Sequence, residues 1–212
     1  MKLIDLTHTI YPDMPVYPGT EQPKLSPASD YEKDGFKETY LQMFSHTGTH
    51  IDAPSHIFPG RTSLDQFPAE QFAGMALVVD CRDLKPGQRI TMAKIPTDLA
   101  QQADFLLFDL GWDKYWGTAT YFGDYPYLDD AVMDYILSGD FKGIGFDGIS
   151  LDPISDCRLT LHKRLFAEKD IINIENLKGL HLCGKDLFHF GCFPLKFRDA
   201  DGAPARAVAW WD

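Results

Sequence analysis

Three observations predict a single mixed α/β or α+β domain, with a mixed β-sheet core and few helices. Short apolar runs rich in β-branched or aromatic residues recur between turn signals, at 3–6, 38–44, 76–80, 105–109, 143–147, 171–175, 188–192 and 205–211, and each reads as a strand. Helical patterns are fewer, so strands dominate the core. The chain has 212 residues with no internal repeat, linker or low-complexity tract, which makes residues 1–212 one domain.

In chain order, the first strand, 3–6, follows a start in which Asp5 and His8 interrupt the apolar residues, so neither a signal peptide nor a membrane span is expected there. Residues 11–34 carry Pro12, Pro15, Pro18, Pro23 and Pro27 among Gly, Asp and Ser. They read as a long extended excursion, of the kind that serves function or reaches a neighbouring subunit. A weak helical pattern covers about 95–102. The best one spans 129–138, where Val132, Tyr135 and Ile136 share a face and Gly139 stands just past the end. A short helix is expected after Arg158.

At 44% hydrophobic and 24% charged the composition is that of an ordinary soluble protein, with a core large enough to need no staple. A bound metal is therefore expected to be functional. The net charge of −11 and the lack of a Lys/Arg cluster argue against nucleic acid and against an anionic membrane surface, leaving a small molecule as partner. Cys81, Cys157, Cys183 and Cys192 form no CxxC pair and read as free thiols of a cytoplasmic protein.

The chemistry concentrates in Ser45-His46-Thr47-Gly48-Thr49-His50-Ile51-Asp52-Ala53-Pro54-Ser55-His56. Imidazole and carboxylate are the usual ligands of zinc and similar ions in open sites. Gly48 and Pro54 break any helix, and Gly48 lets His46 and His50 converge. Isolated histidines are more often surface or core residues, which is the expectation for His8, His181 and His189. His162 and Glu175 are open at this point between ligand and solvated surface residue. Trp112, Tyr115, Trp116, Tyr121 and Phe122 are equally open between an aromatic pocket and core.

The run His46 to His56 resembles the His-x-Gly-Thr-His-x-Asp-x-Pro-x-His signature of the cyclase family, which includes bacterial kynurenine formamidases and isatin hydrolases. Asp5-Leu6-Thr7, Tyr17-Pro18-Gly19, Gly111-Trp112, the stretch 145–152, Ile174-Glu175-Asn176-Leu177 and the stretch 202–206 extend the resemblance over nearly the whole chain. It implies a swivelling β/β/α fold and one or two divalent ions, Zn2+ or Mn2+. It places His46, His50 and Asp52 on one ion, Asp52 also on a second, His162 on the second, and Glu175 on both. It makes His56 the general acid/base. It further implies a homodimer or homotetramer whose N-terminal loop helps close a neighbour's pocket. Formamidases of the family usually carry Trp where this chain has Tyr17, a position similar to a substrate-stacking residue, so N-formylkynurenine and isatin-like cyclic amides both stay open as substrates.

The expected activity is hydrolysis of an aryl formamide or lactam by metal-activated water, with His56 moving the proton. A lyase or cyclase with the same ligands is the rival among enzymes. A non-catalytic metal- or ligand-binding protein is the rival outside them, and it would have no use for a proton-transferring His56 beside the ligands.

Overall fold

The structure is a computed structural model that describes residues 2–211. Its strands are β1 (Lys2–Asp5), β2 (Lys24–Ser29), β3 (Glu38–Gln42), β4 (His50–Asp52), β5 (Ala73–Asp80), β6 (Arg89–Ile90), β7 (Phe105–Asp109), β8 (Tyr127–Leu128), β9 (Gly143–Phe146), β10 (Ile172–Glu175), β11 (Phe188–Pro194) and β12 (Gly202–Trp211). Its α-helices are α1 (Thr97–Ala100), α2 (Asp130–Ser138) and α3 (Thr160–Glu168).

The unbroken apolar runs in mid-chain become β5, β7, β9 and β10, which pair in parallel in that order and are covered on both faces. The C-terminal run alternates instead: Ala203, Ala205, Ala207 and Ala209 are buried, with more exposed residues between them. β12 uses this length to close the sheet. One edge pairs β11; the other pairs β4 over Gly202–Pro204 and β1 over Val208–Trp211. The order β12-β11-β5-β7-β9-β10-β4 thus returns to β12, a barrel-like core with β1 attached.

Inside the closed sheet, the small alanines of β12 face bulky Phe105, Phe188 and Phe190, a size alternation that fills a narrow barrel. Outside it, Leu77, Val79, Leu106, Phe108, Ile144 and Phe146 meet Val132, Met133 and Ile136 of α2 and Leu165 and Phe166 of α3. α2 starts where the sequence places it: the Asp129 carboxylate accepts the Val132 amide at 2.9 Å. Met133 packs fully and Tyr135 only partly, a turn of the face relative to the expected one. The expected helix at 95–102 is a single turn, α1, because Pro96 starts it and the chain is drawn into the sheet at Asp104, whose amide donates to the Met75 carbonyl.

The proline-rich excursion is part strand. β2 pairs β3 in a separate antiparallel hairpin with an irregularity between Pro27 and Ser29. All of β3 is exposed, as are Tyr31, Phe36 and Phe44 around it.

Gly143 and Gly145 let β9 lie close to its neighbours. A Cβ on Gly145 would stand 2.8 Å from Leu177 Cδ1 and 2.9 Å from Leu107 Cδ2, both buried. Gly145→Val is expected to destabilise the fold by about 1–3 kcal/mol through overpacking, read as a lowered urea midpoint. An unchanged midpoint would mean the barrel interior is looser than this.

Candidate metal centre

The site is built outward from β4. Alternation turns Ile51 into the barrel and sets His50 and Asp52 on the outer face. The antiparallel register with β10 places Glu175 opposite His50 and Asn173 opposite Asp52. On the other side, β12 places Gly202 opposite Asp52. That glycine is needed: a Cβ there would lie 2.4 Å from Cε1 of His46, whose ring covers the position. Gly48, at φ +67°, makes the turn that returns His46 over the strand.

Two groups of ligand atoms share Asp52: His46, His50 and Asp52 form one, Asp52, His162 and Glu175 the other, each within 4.8 Å. Asp52 Oδ1 lies 2.7 Å from His46 Nδ1 and 3.3 Å from His50 Nε2, while Oδ2 lies 3.3 Å from His162 Nε2. Glu175, 3.2 Å from His162 Nε2 in the second group, also lies 3.5 Å from His50 Nε2 of the first. His50 Nδ1 donates to the Gly48 carbonyl at 2.8 Å, which leaves Nε2 with its lone pair toward the carboxylates. His162 Nδ1 is held the same way by Asp152 Oδ2 at 2.6 Å.

The electrostatics fit a divalent cation. Among the described residues, the buried carboxylates Asp52, Asp152 and Glu175 form ion pairs with His46, His50 and His162 and with no Lys or Arg. Buried charge is normally paired or metal-bound. Burial alone would raise the Asp52 carboxyl, but His50 and His46 hold it well below the usual range. Burial opposes charge on His46 too, yet Asp52 and Asp201 push it up to about 10. For His162, burial is likewise outweighed by Asp152, Asp52 and Glu175, which raise it. Asn173 donates to Asp52 Oδ2 and to Glu175 Oε1, each at 2.9 Å, while its buried Oδ1 has no partner. The donor set, imidazole nitrogen with carboxylate oxygen, suits a divalent metal ion.

His56 belongs to neither group that shares Asp52, but with His46 and Asp201 it forms a third cluster whose ligand atoms lie within 4.8 Å. Pro54 opens a 3-10 turn after β4 that brings the ring back over the site, centroids 4.1 Å from His46 and 6.1 Å from His162. Burial lowers its pKa below the ordinary value. His46, His50, Asp52, His56, His162 and Glu175 line one cavity of about 640 Å³. The loop residues Pro15, Val16, Tyr17, Gly19 and Thr20 line it as well, so Tyr17 faces this chain's own centre. Burial first, then Cys157 and the Glu175 and Asp152 carboxylates, raise its phenol pKa. Met14, just before this loop segment, is buried in the same chain.

The sequence reading missed four residues. Asp201 Oδ2 lies 3.1 Å from His46 Nε2 and 3.7 Å from His56 Nδ1, and His46 first, then burial's opposing effect, leave Asp201 at about 2. Asp152 and Asn173 hold ligands as described. Asn176 donates to the Gly48 carbonyl at 2.8 Å and accepts from the Tyr121 hydroxyl at 2.6 Å. Asn173 alone had a local signal, since period two puts it on the face of Glu175. The aromatic residues around Gly111 do not line the cavity; Trp112 and Tyr121 are core, and Tyr17 and Phe44 are the aromatic rings at the site. His8 stacks on Trp116 at 3.8 Å, and burial lowers its pKa to about 4, away from the ligand groups.

Asp152→Asn is expected to weaken binding of Zn2+ or Mn2+ by about 10–100-fold, because it loosens the orientation of His162. Competition with a chromogenic chelator reads this, and unchanged affinity would remove Asp152 from the centre.

The geometry agrees with what the chain is similar to. An uncharacterised protein of Methanocaldococcus jannaschii is 31% identical over 99% of this chain and 99% of its own. A kynurenine formamidase of Salinibacter ruber is 28% identical over 98% of this chain and 97% of its own. The fold is shared with isatin hydrolase A from Ralstonia solanacearum, with a TM-score of 0.85 at 22% identity over 98% of this chain and 91% of that one. The family model described as putative cyclase matches residues 4–153, and the chain belongs to the cyclase family.

Proposed function

We propose that the chain is a divalent-metal-dependent hydrolase of a small aromatic amide, an aryl formamide such as N-formylkynurenine or an isatin-like lactam. One observation carries this: Asp52 presents its two oxygens to two separate ligand groups, while His56 stands beside them with no place in the pair of groups that share Asp52. The relative named kynurenine formamidase and the shared fold with an isatin hydrolase support the substrate class.

When bound, Zn2+ or Mn2+, one or two per chain, supplies a Lewis acid that polarises a carbonyl and lowers the pKa of water to about 7. His56 takes the proton from the attacking water as its oxygen bonds to the carbonyl carbon. It returns that proton to the amide nitrogen as the C–N bond breaks, yielding an amine and a carboxylic acid. Tyr17 and Phe44 offer rings against which an aromatic substrate lies.

The same reading includes a homodimer or homotetramer. Its support is the hairpin of β2 and β3, which leaves Tyr40 at 60% and Leu41 at 52% exposure in the single chain. Among the described residues no helix is long and apolar enough to cross a membrane; a cytoplasmic setting is part of this proposal.

Chelation is expected to abolish hydrolysis of aryl formamides, and added Zn2+ or Mn2+ to restore it. His56→Ala is expected to keep the metal, measured by elemental analysis, and to lose about 10²–10⁴-fold in kcat. Near-normal turnover in that variant would pass the proton-transfer role to another group. Sedimentation at assay concentration tests the assembly, and an active monomer would contradict it.

A further inference from the structure

We infer that Asn173 is itself a ligand of an ion in the second group: a half-turn of its side-chain amide brings Oδ1 to the fourth place beside Asp52, His162 and Glu175. The inference rests on the reading of the two ligand groups as a metal centre, and not on the reaction proposed for it.

Asn173 lies on β10 opposite Asp52 of β4 and shares the face of Glu175. Its side chain is fully buried and does not line the cavity, so it reaches the second group from the side that protein closes. The spacing there is that of a coordination shell. His162 Nε2 lies 3.3 Å from Asp52 Oδ2 and 3.2 Å from Glu175 Oε1. Asn173 Nδ2 lies 2.9 Å from each of those oxygens and 3.5 Å from that nitrogen. A tetrahedral zinc with bonds of about 2.0–2.1 Å holds its donors about 3.3–3.4 Å apart. The end of the Asn173 side chain thus stands at the fourth corner around an ion in this group.

The atom now at that corner is the wrong one for a cation. An amide N–H donates only, and it turns the positive end of its dipole toward the ion. It also takes an acceptor position that the ion needs. Glu175 Oε1 accepts the Leu151 amide at 2.8 Å as well as Asn173, which uses both of its lone pairs. One rotation about the last bond of the side chain meets both demands. It exchanges Nδ2 for Oδ1, the buried oxygen that has no hydrogen-bond partner, and frees a lone pair of Glu175 for the ion. The turn gives up two hydrogen bonds to carboxylates, so it follows only when an ion is there to replace them. Four protein donors then leave the second ion no open position, the arrangement of a structural site rather than a catalytic one.

The test uses the full-length protein, first stripped of metal and then loaded with excess Zn2+, with no activity measurement. A crystal structure of the loaded protein should show Asn173 Oδ1 about 2.0–2.2 Å from the ion in the second group. Calorimetry should resolve two ions, and Asn173→Ala should weaken the second by at least about tenfold in Kd while the first changes little. A water in the fourth place, with the Asn173 amide still donating to the carboxylates, would overturn the inference. So would a second Kd that is unchanged or tighter in Asn173→Ala, the result expected if the amide only competes with the ion. If that variant does not fold, the distance in the unaltered chain decides alone. Zinc held by His46, His50 and Asp52 with the second group empty at saturation sinks this inference and leaves the metal centre standing. If no zinc binds, both fall.

Discussion

Asp52 is buried on a three-residue strand, and removing a carboxylate from water costs several kcal/mol unless other groups replace the water. The site is organised around that demand. Three imidazoles, His46, His50 and His162, approach its two oxygens from three different segments, and Asn173 adds a hydrogen bond from the next strand. Glu175 brings a second buried carboxylate within reach of the same rings. Four basic or neutral groups around two or three acids make a stable arrangement for one or two divalent cations, and a strained one without them.

The closed sheet is how the chain meets this demand. β4 is too short to hold itself, so β10 and β12 grip it from both sides, and Ile51 anchors it in the barrel. The missing side chain at Gly202 gives His46 its place, and α3 carries His162 in from the outer layer. Asp152 joins two tasks: it accepts the amides of Leu161 and His162 at the start of α3, and it fixes the His162 ring. The helix position and the ligand orientation are therefore one structural feature.

Much of this was legible in the sequence because apolar periodicity is local. The parallel strands and α2 stand near their expected positions, and the ligand run from His46 to His56 announces itself by density and by resemblance to the cyclase family. β4 was not legible as a strand, since three residues with one apolar member give no period to read; the pairing partners that make it a strand lie more than 100 residues away. Asp201 shows the same difficulty. It is next to His46 only because β12 closes the sheet against β4, and nothing around residue 201 signals a partner at 46. The loop at Tyr17 reads as an extended excursion from its prolines; that Met14 is buried and Tyr17 lines the cavity are tertiary facts.

The claim that buried Asp52 and Glu175 are built for a divalent cation is tested most directly by thermal unfolding of the chelated protein titrated with Zn2+ or Mn2+. An ion that binds only the folded chain stabilises it by about 2.7 kcal/mol at a hundred times its Kd, so the Tm is predicted to climb steadily with ion concentration. The rise should vanish in Asp52→Asn, which removes the shared charge. A Tm insensitive to both ions in the unaltered chain, with no ion retained after dialysis, would contradict the account.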